Sequence, residues 1–332
     1  NSAWEAVAGG PTFKTFGTSS IMIGDATTGT IDAANYNTGV GVDVFAALTS
    51  GDNNTAVGFK ALIGNTTGSG NTAFGKGAGY RITTGNDNTY LGHTDDSNAG
   101  AATSSSNTFI GRSAGERNTS GSSNTFIGAL CGDLATEGAG NVGVGSSSLT
   151  ALTTAANNTA VGTSSMAANT TGTDNVAMGS GALEANTTAS NNTAIGREAL
   201  QANTTGQGEA FGKGALAAQT TGSENQAFGL SALAALTTGT SNVAIGKGAF
   251  QALTTGSDSV AIGRGAGDAV TTSASNTFVG SQAGGATTTG ASNTTVGATS
   301  GAAITTGYEN TCIGASTAQG LTTGTNNVCI GL

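Results

Sequence analysis

The chain of 332 residues is poor in most side chains that carry chemistry. It has one histidine, one proline, one tryptophan and three cysteines, and 9% of its residues are charged. A single histidine, His93, gives a zinc site or a Ser-His-Asp triad almost nothing to build on. Three cysteines are too few for a disulfide scaffold. No apolar run approaches the roughly 18 residues of a membrane-spanning helix. A net charge of −9 without a basic cluster argues against nucleic acid and anionic membrane as partners. Low charge with 56 glycines is a composition shared with disordered segments, but here the glycines are placed with strict order.

That order is a repeated phrase, Asn-x-x-apolar-Gly. Its glycine recurs nineteen times from Gly24 to Gly331, and sixteen of the eighteen intervals are 17 residues long. The exceptions are 19 residues (Gly92 to Gly111) and 16 residues (Gly196 to Gly212). A period this strict predicts an all-β solenoid of about nineteen rungs over residues 20–332, preceded by a cap or attachment segment at 1–19. Eighteen steps of about 4.8 Å would make a rod on the order of 85 Å long.

Aligned on the glycine, a typical unit reads Asn-Thr-Ala-Ile-Gly-x-x-Ala-Leu-x-x-x-Thr-Thr-Gly-x-x. The residue before the glycine is apolar in every rung, as at Val57, Ile195 and Ile245. Asparagine stands four before the glycine in sixteen rungs, as at Asn54, Asn71 and Asn192, with Ser20, Gly208 and Ser259 as the exceptions. The expected rung is a short strand, a glycine corner (Gly58, Gly196, Gly246), a second short strand over Ala-Leu, and a second glycine corner. Stacked asparagines form an amide ladder. Strand alternation puts Asn and Ala on one side and Thr and Ile on the other, so both faces carry apolar atoms. One is then buried inside the coil and the other against a partner, most economically further copies of the same chain. Three chains around an axis would bury such files well.

Asn192-Thr193-Ala194-Ile195-Gly196 resembles the repeats of trimeric autotransporter adhesin heads, and Asn242-Val243-Ala244-Ile245-Gly246 nearly so. The longer unit with Ala-Leu and Thr-Thr-Gly is similar to repeats in bacteriophage tail fibres and other appendage proteins. The resemblance covers about residues 20–332. It implies a parallel β-roll wound as a homotrimer, a place on a virion or cell surface, and a host glycan or protein as target. The adhesin period is shorter than 17, which leaves rung shape and trimer packing open. The expected function is a non-enzymatic structural fibre, a phage tail-fibre shaft or virion appendage; the alternative is a bacterial surface adhesin or self-polymerising extracellular filament. No cofactor or metal is expected.

The remaining candidates are weaker. His93 opens the 19-residue interval near Asp95 and Asp96, so a protruding loop there is a candidate surface contact, against the plainer reading of a solvated insertion. Basic residues just after the repeat glycine (Lys76, Arg112, Arg197, Lys213, Lys247, Arg264) form an intermittent outside column. Adjacent pairs such as Thr66-Thr67 must point opposite ways and leave one outward threonine file, unlike the double file of an ice-binding face. Cys131, Cys312 and Cys329 fall in slots that hold alanine in other rungs and read as buried fillers. Cys312 and Cys329 stack on neighbouring rungs, where a disulfide meets awkward geometry. Asn1 suggests processing or a fragment, and the last unit stops midway, suggesting continuation or head-to-tail docking.

Overall fold

The computed structural model describes residues 12–16, 19–24, 33–94 and 100–331. The chain forms two compact units, Asn1–Ala156 and Asn157–Leu332. Each is a parallel β-solenoid. Among the described residues the first holds eight parallel strands, from β2 (Ser20–Gly24) to Val142–Val144, and the second eleven, from Thr159–Val161 to Val328–Ile330. Before them, β1 (Thr12–Phe16) pairs antiparallel with β2, so this segment joins the sheet without following the repeat. The rest of the expected cap, with Trp4 and Pro11, lies outside the described residues. Strands pair in the register of the repeat: Ala56 faces Ala73, and Ala177 faces Ala194. The 16-residue step keeps that register, with Ala194 on Ala210 and Ile195 on Phe211.

Among the described residues each rung holds one short strand, not two. Where a second strand was expected, over Ala-Leu, the backbone makes consecutive tight turns. In the rung of Gly58 the Ala61 N–H donates to the Gly58 carbonyl (3.3 Å), and the Asn65 N–H donates to the Leu62 carbonyl (3.1 Å). Lys60 and Leu62 take φ of 60° and 48°, which no strand can use. The turns bring both Ala61 and Leu62 inside, so their adjacency does not create two apolar faces. A bulky residue at positive φ costs roughly 1–3 kcal/mol, which full burial of a leucine offsets by about 1.5–3 kcal/mol. At the repeat glycine itself the constraint is double. Gly196 has φ of +135°, and a Cβ there would lie 2.6 Å from the carbonyl of Gly212 in the next rung.

The core is filled by a size exchange between two positions of the same rung. In most rungs whose strand centre is alanine, the residue six further on is large: Ala56 with Leu62, Ala160 with Met166, Ala244 with Phe250, all buried. Where the strand centre is phenylalanine, that residue is glycine: Phe109 with Gly115, Phe126 with Gly132, Phe278 with Gly284. A Cβ on Gly115 would sit 2.6 Å from the Phe109 ring, so the ring occupies the space a side chain would need. The rungs of Ala73 with Gly79 and of Ala261 with Gly267 are small at both places and are filled from the rungs on either side, by Leu62 and Tyr90 in the first and by Phe250 and Phe278 in the second. Interiors pack to crystal-like density, so volume lost in one place must be supplied from a neighbour.

The expected amide ladder is present. Asn54 Nδ2 donates to Asn37 Oδ1 (3.0 Å), and the Asn54 backbone N–H donates to the same oxygen (2.9 Å). Asn54 Nδ2 also donates to the Gly68 carbonyl (2.9 Å), tying the strand start to the second corner of its own rung. Asn71 repeats these contacts on Asn54, and Asn192 on Asn175. At the exceptions the ladder is repaired. Ser20 and Ser259 accept the next asparagine N–H through their hydroxyls (3.0 and 3.1 Å). At Gly208, in the shortened rung, buried Gln219 reaches in and accepts from Asn225 Nδ2 (3.0 Å). A threonine ladder runs beside it: Thr66 Oγ1 donates to the Thr83 carbonyl and Thr254 Oγ1 to that of Thr271.

The size exchange predicts a double-mutant cycle. Phe126→Ala should cost about 3–5 kcal/mol and Gly132→Leu should also destabilise. Combined, they recreate the Ala-plus-Leu rung, and denaturant unfolding should show most of the Phe126→Ala loss recovered. Additive losses would refute the exchange.

Candidate interaction surface

The strands of each unit turn their Asn and Ala side chains inward, which leaves two outward files on the other face. One is mostly threonine and valine (Thr55, Thr72, Val176, Thr193, Val243); the other is the apolar residue before the repeat glycine. That second file is partly open to solvent, exposed in some rungs and half-buried in the others. Phe74 is 57% exposed and Ile245 41%, with Val40, Leu91, Met178, Phe228 and Ile262 also exposed. Val57 and Ile195 are half-buried. The rings of Phe211 and Phe228 stack along the file at 4.7 Å. A file of large apolar side chains repeated on every rung is contiguous, unlike the scattered exposed leucines of ordinary surfaces.

Charge borders this face. In the second unit the basic column directly after the repeat glycine holds Arg197, Lys213, Lys247 and Arg264, all exposed. Five residues before the glycine, on the opposite side of the strand, stand Asp174, Glu224, Asp258 and Glu309, also exposed. The acidic column was not singled out from the sequence, although its members share one repeat phase and the signal was there. Behind the basic column a shallow groove of about 200 Å³ is lined by Leu230, Ser231, Lys247, Arg264, Asp268 and Gln282. Burial holds the Asp268 carboxyl above its ordinary range, against the pull of nearby Arg264. In the first unit Asp133 is likewise raised by burial and by the Glu116 charge, with Arg117 and Arg112 pulling the other way.

The 19-residue interval gives no assembled site. His93 is half-buried, and its carbonyl accepts the Ser113 N–H (3.0 Å). Asp95 and Asp96 lie outside the described residues. The Arg81 guanidinium secures the far side of the insertion, donating to the carbonyls of Gly100 (2.9 and 2.6 Å) and Glu116 (2.8 Å). Ile82 and Ala102 bridge there in parallel, which restores the stack. Tyr90 packs edge-on against Phe109 at 5.4 Å, and burial pushes its phenol well above the usual value. Among the described residues, no group of three or more His, Cys, Asp or Glu side chains is placed to hold a metal ion. No described helix is long and apolar enough to cross a membrane.

The threonine pairs divide as expected, with Thr66 half-buried and Thr67 exposed. The asparagine, glycine and apolar residues singled out from the sequence therefore build the scaffold and its outer face. Comparison with protein-family models, curated proteins and solved structures returned no match.

All three cysteines are free, and Cys312 and Cys329 are register partners on adjacent strands. Burial pushes the Cys131 thiol up to about 12; burial and the neighbouring Cys329 push Cys312 up to about 11. Neither forms thiolate readily at neutral pH. At pH 8 a thiol-specific disulfide reagent should leave both unmodified in the native protein and react with both after denaturation. Native-state labelling of Cys131 at the rate of a free thiol would contradict its placement. Because folding raises both values, the folded state holds these protons more tightly, and stability should fall as pH rises from about 9 toward 12.

Proposed function

We propose that this chain is a structural, non-catalytic β-solenoid that serves as the shaft of an extracellular or virion-surface fibre taking part in host attachment. In this reading copies of the chain pack against one another through the outward apolar file, three around a common axis. The observation that carries it is the outward apolar file before the repeat glycine, half-buried to exposed and recurring on strand after strand. Its exposure is unfavourable for an isolated subunit, at about 25 cal/mol for each Å² of apolar surface left in water. The resemblance of the rungs to adhesin-head and tail-fibre repeats supports the same assignment.

Ladders of buried amides and threonine hydroxyls suit an extended spacer, because each rung is held by identical bonds from its neighbours. Solenoid stability is close to a sum of such nearest-neighbour terms, so length is added without redesign. Projection and display then follow from repetition, and chemistry at a single site is not required.

Sedimentation velocity tests the proposal. The wild-type chain should sediment as a homo-oligomer, a trimer in the preferred reading. Ile195→Asp with Ile245→Asp should shift it to monomer while the β-sheet circular dichroism persists. Both residues keep part of their surface in solvent, so their loss should weaken association more than folding. A wild-type chain that stays monomeric at tens of micromolar, its apolar file bare, would overturn the proposal.

A further inference from the structure

The two charged columns bordering the outward sheet face differ in sign, and this difference is directional. The strand of each rung runs from the acidic margin, across threonine and the apolar file, to the basic margin. In the second unit no cation occupies the acidic position in any described rung, and no carboxylate occupies the basic one. Of the chain's ten Lys and Arg residues, four fall in this one column of this one unit. Glu198, 3.5 Å from Arg197, and Asp268, near Arg264, soften the basic margin from behind without reversing its sign.

We propose that these margins form an electrostatic seam for a second copy of this chain running in the same direction, basic margin against acidic margin. This deepens the preceding section and rests on its reading that the face meets copies of itself. The occupant follows from symmetry and charge. Two such faces can meet with their stacking directions parallel, related by rotation about the stacking axis. Strand direction then reverses across the contact, and each basic margin meets the partner's acidic margin. Alternatively they meet antiparallel, related by a two-fold axis along the strands, and acid meets acid while base meets base. Only the first arrangement is attractive. A third chain around the same axis continues the same basic-to-acidic order.

The positions also match in height. Arg264 and Asp258 belong to the same rung. Arg197 lies one rung from that of Asp174, Lys213 one from that of Glu224, and Lys247 one from that of Asp258. Parallel copies in register thus bring every cation of the unit within about one strand spacing, 4.8 Å, of the level of a partner carboxylate. The area is sufficient. Eleven strands, each about six residues wide from margin to margin, present a face on the order of 1,000 Å², above the roughly 800 Å² per partner of stable complexes. The apolar file would supply affinity, and the margins would supply polarity and register by disfavouring the reversed partner.

Two measurements on the full-length chain test this. Arg197→Glu, Lys213→Glu, Lys247→Glu and Arg264→Glu together should weaken association about ten-fold or more, from four cations lost opposite the acidic margin and new like-charge contacts. Adding Asp174→Lys, Glu224→Lys, Asp258→Lys and Glu309→Lys swaps both margins and should restore it, because complementarity returns only if unlike margins meet. Independently of any variant, raising salt should weaken wild-type association; an antiparallel seam would be relieved of repulsion and tighten. Association unchanged by the first reversal, or strengthened by salt, would overturn the seam while leaving the fibre reading intact. A wild-type chain that does not associate at all would overturn both.

Discussion

A carboxamide taken out of water must find partners for both ends, and here an identical carboxamide one rung away supplies them. Asn71 donates to Asn54 and presents its own oxygen to Asn88, through both the side chain and the backbone N–H. A neutral hydrogen bond contributes only about 1 kcal/mol net, but leaving a buried amide unpaired costs more. The interaction is satisfied only if the next rung repeats at one strand spacing with the same residue in the same place. From that follow the strict period, the in-register parallel sheet and the glycine at each corner, where neighbouring backbones come too close for a Cβ. The repairs make the same point. Serine hydroxyls replace two missing amides, and Gln219 crosses from another file to replace the one lost with the deleted residue.

The core obeys a looser rule. It conserves local volume and leaves open which residue supplies it: a phenylalanine at the strand centre faces glycine, most alanines there face a large residue, and rungs small at both places, such as Ala261 with Gly267, are filled by their neighbours. Ladder positions therefore vary little, while core positions vary in pairs. This lets a chain of nearly identical rungs carry different sequences without opening cavities. The charged residues are freer again, since they stand outside the coil, yet in the second unit they still sort by sign into two columns.

Much of the architecture was legible because the repeat acts on the sequence directly. The parallel solenoid, the asparagine ladder and the separation of Asn and Ala from Thr and the apolar residue on opposite strand faces all followed from phase and strand alternation, and all are present. The second strand was misjudged. Ala-Leu adjacency looks like a strand with two apolar faces, but alternation holds only for extended backbone, and Leu62 and its equivalents take left-handed φ. Nothing local marks leucine for that conformation. The Phe-for-Gly exchange escaped notice for a related reason: its members are six residues apart and meet only because the turns fold one back over the other. Of the candidate loop, only His93 can be placed, and no surrounding geometry makes it a site.

By itself the sequence determined the period, which residue types recur at each phase and hence the stacking of like on like, because hydrogen bonding between equivalent groups needs only equal spacing. Tertiary structure decided which of the two apolar sets is enclosed. The turns after each glycine swing the Ala-Leu pair inward and close the coil, and the residue before the glycine is left outside. That division depends on the path of the backbone between strands, which pattern and spacing do not encode.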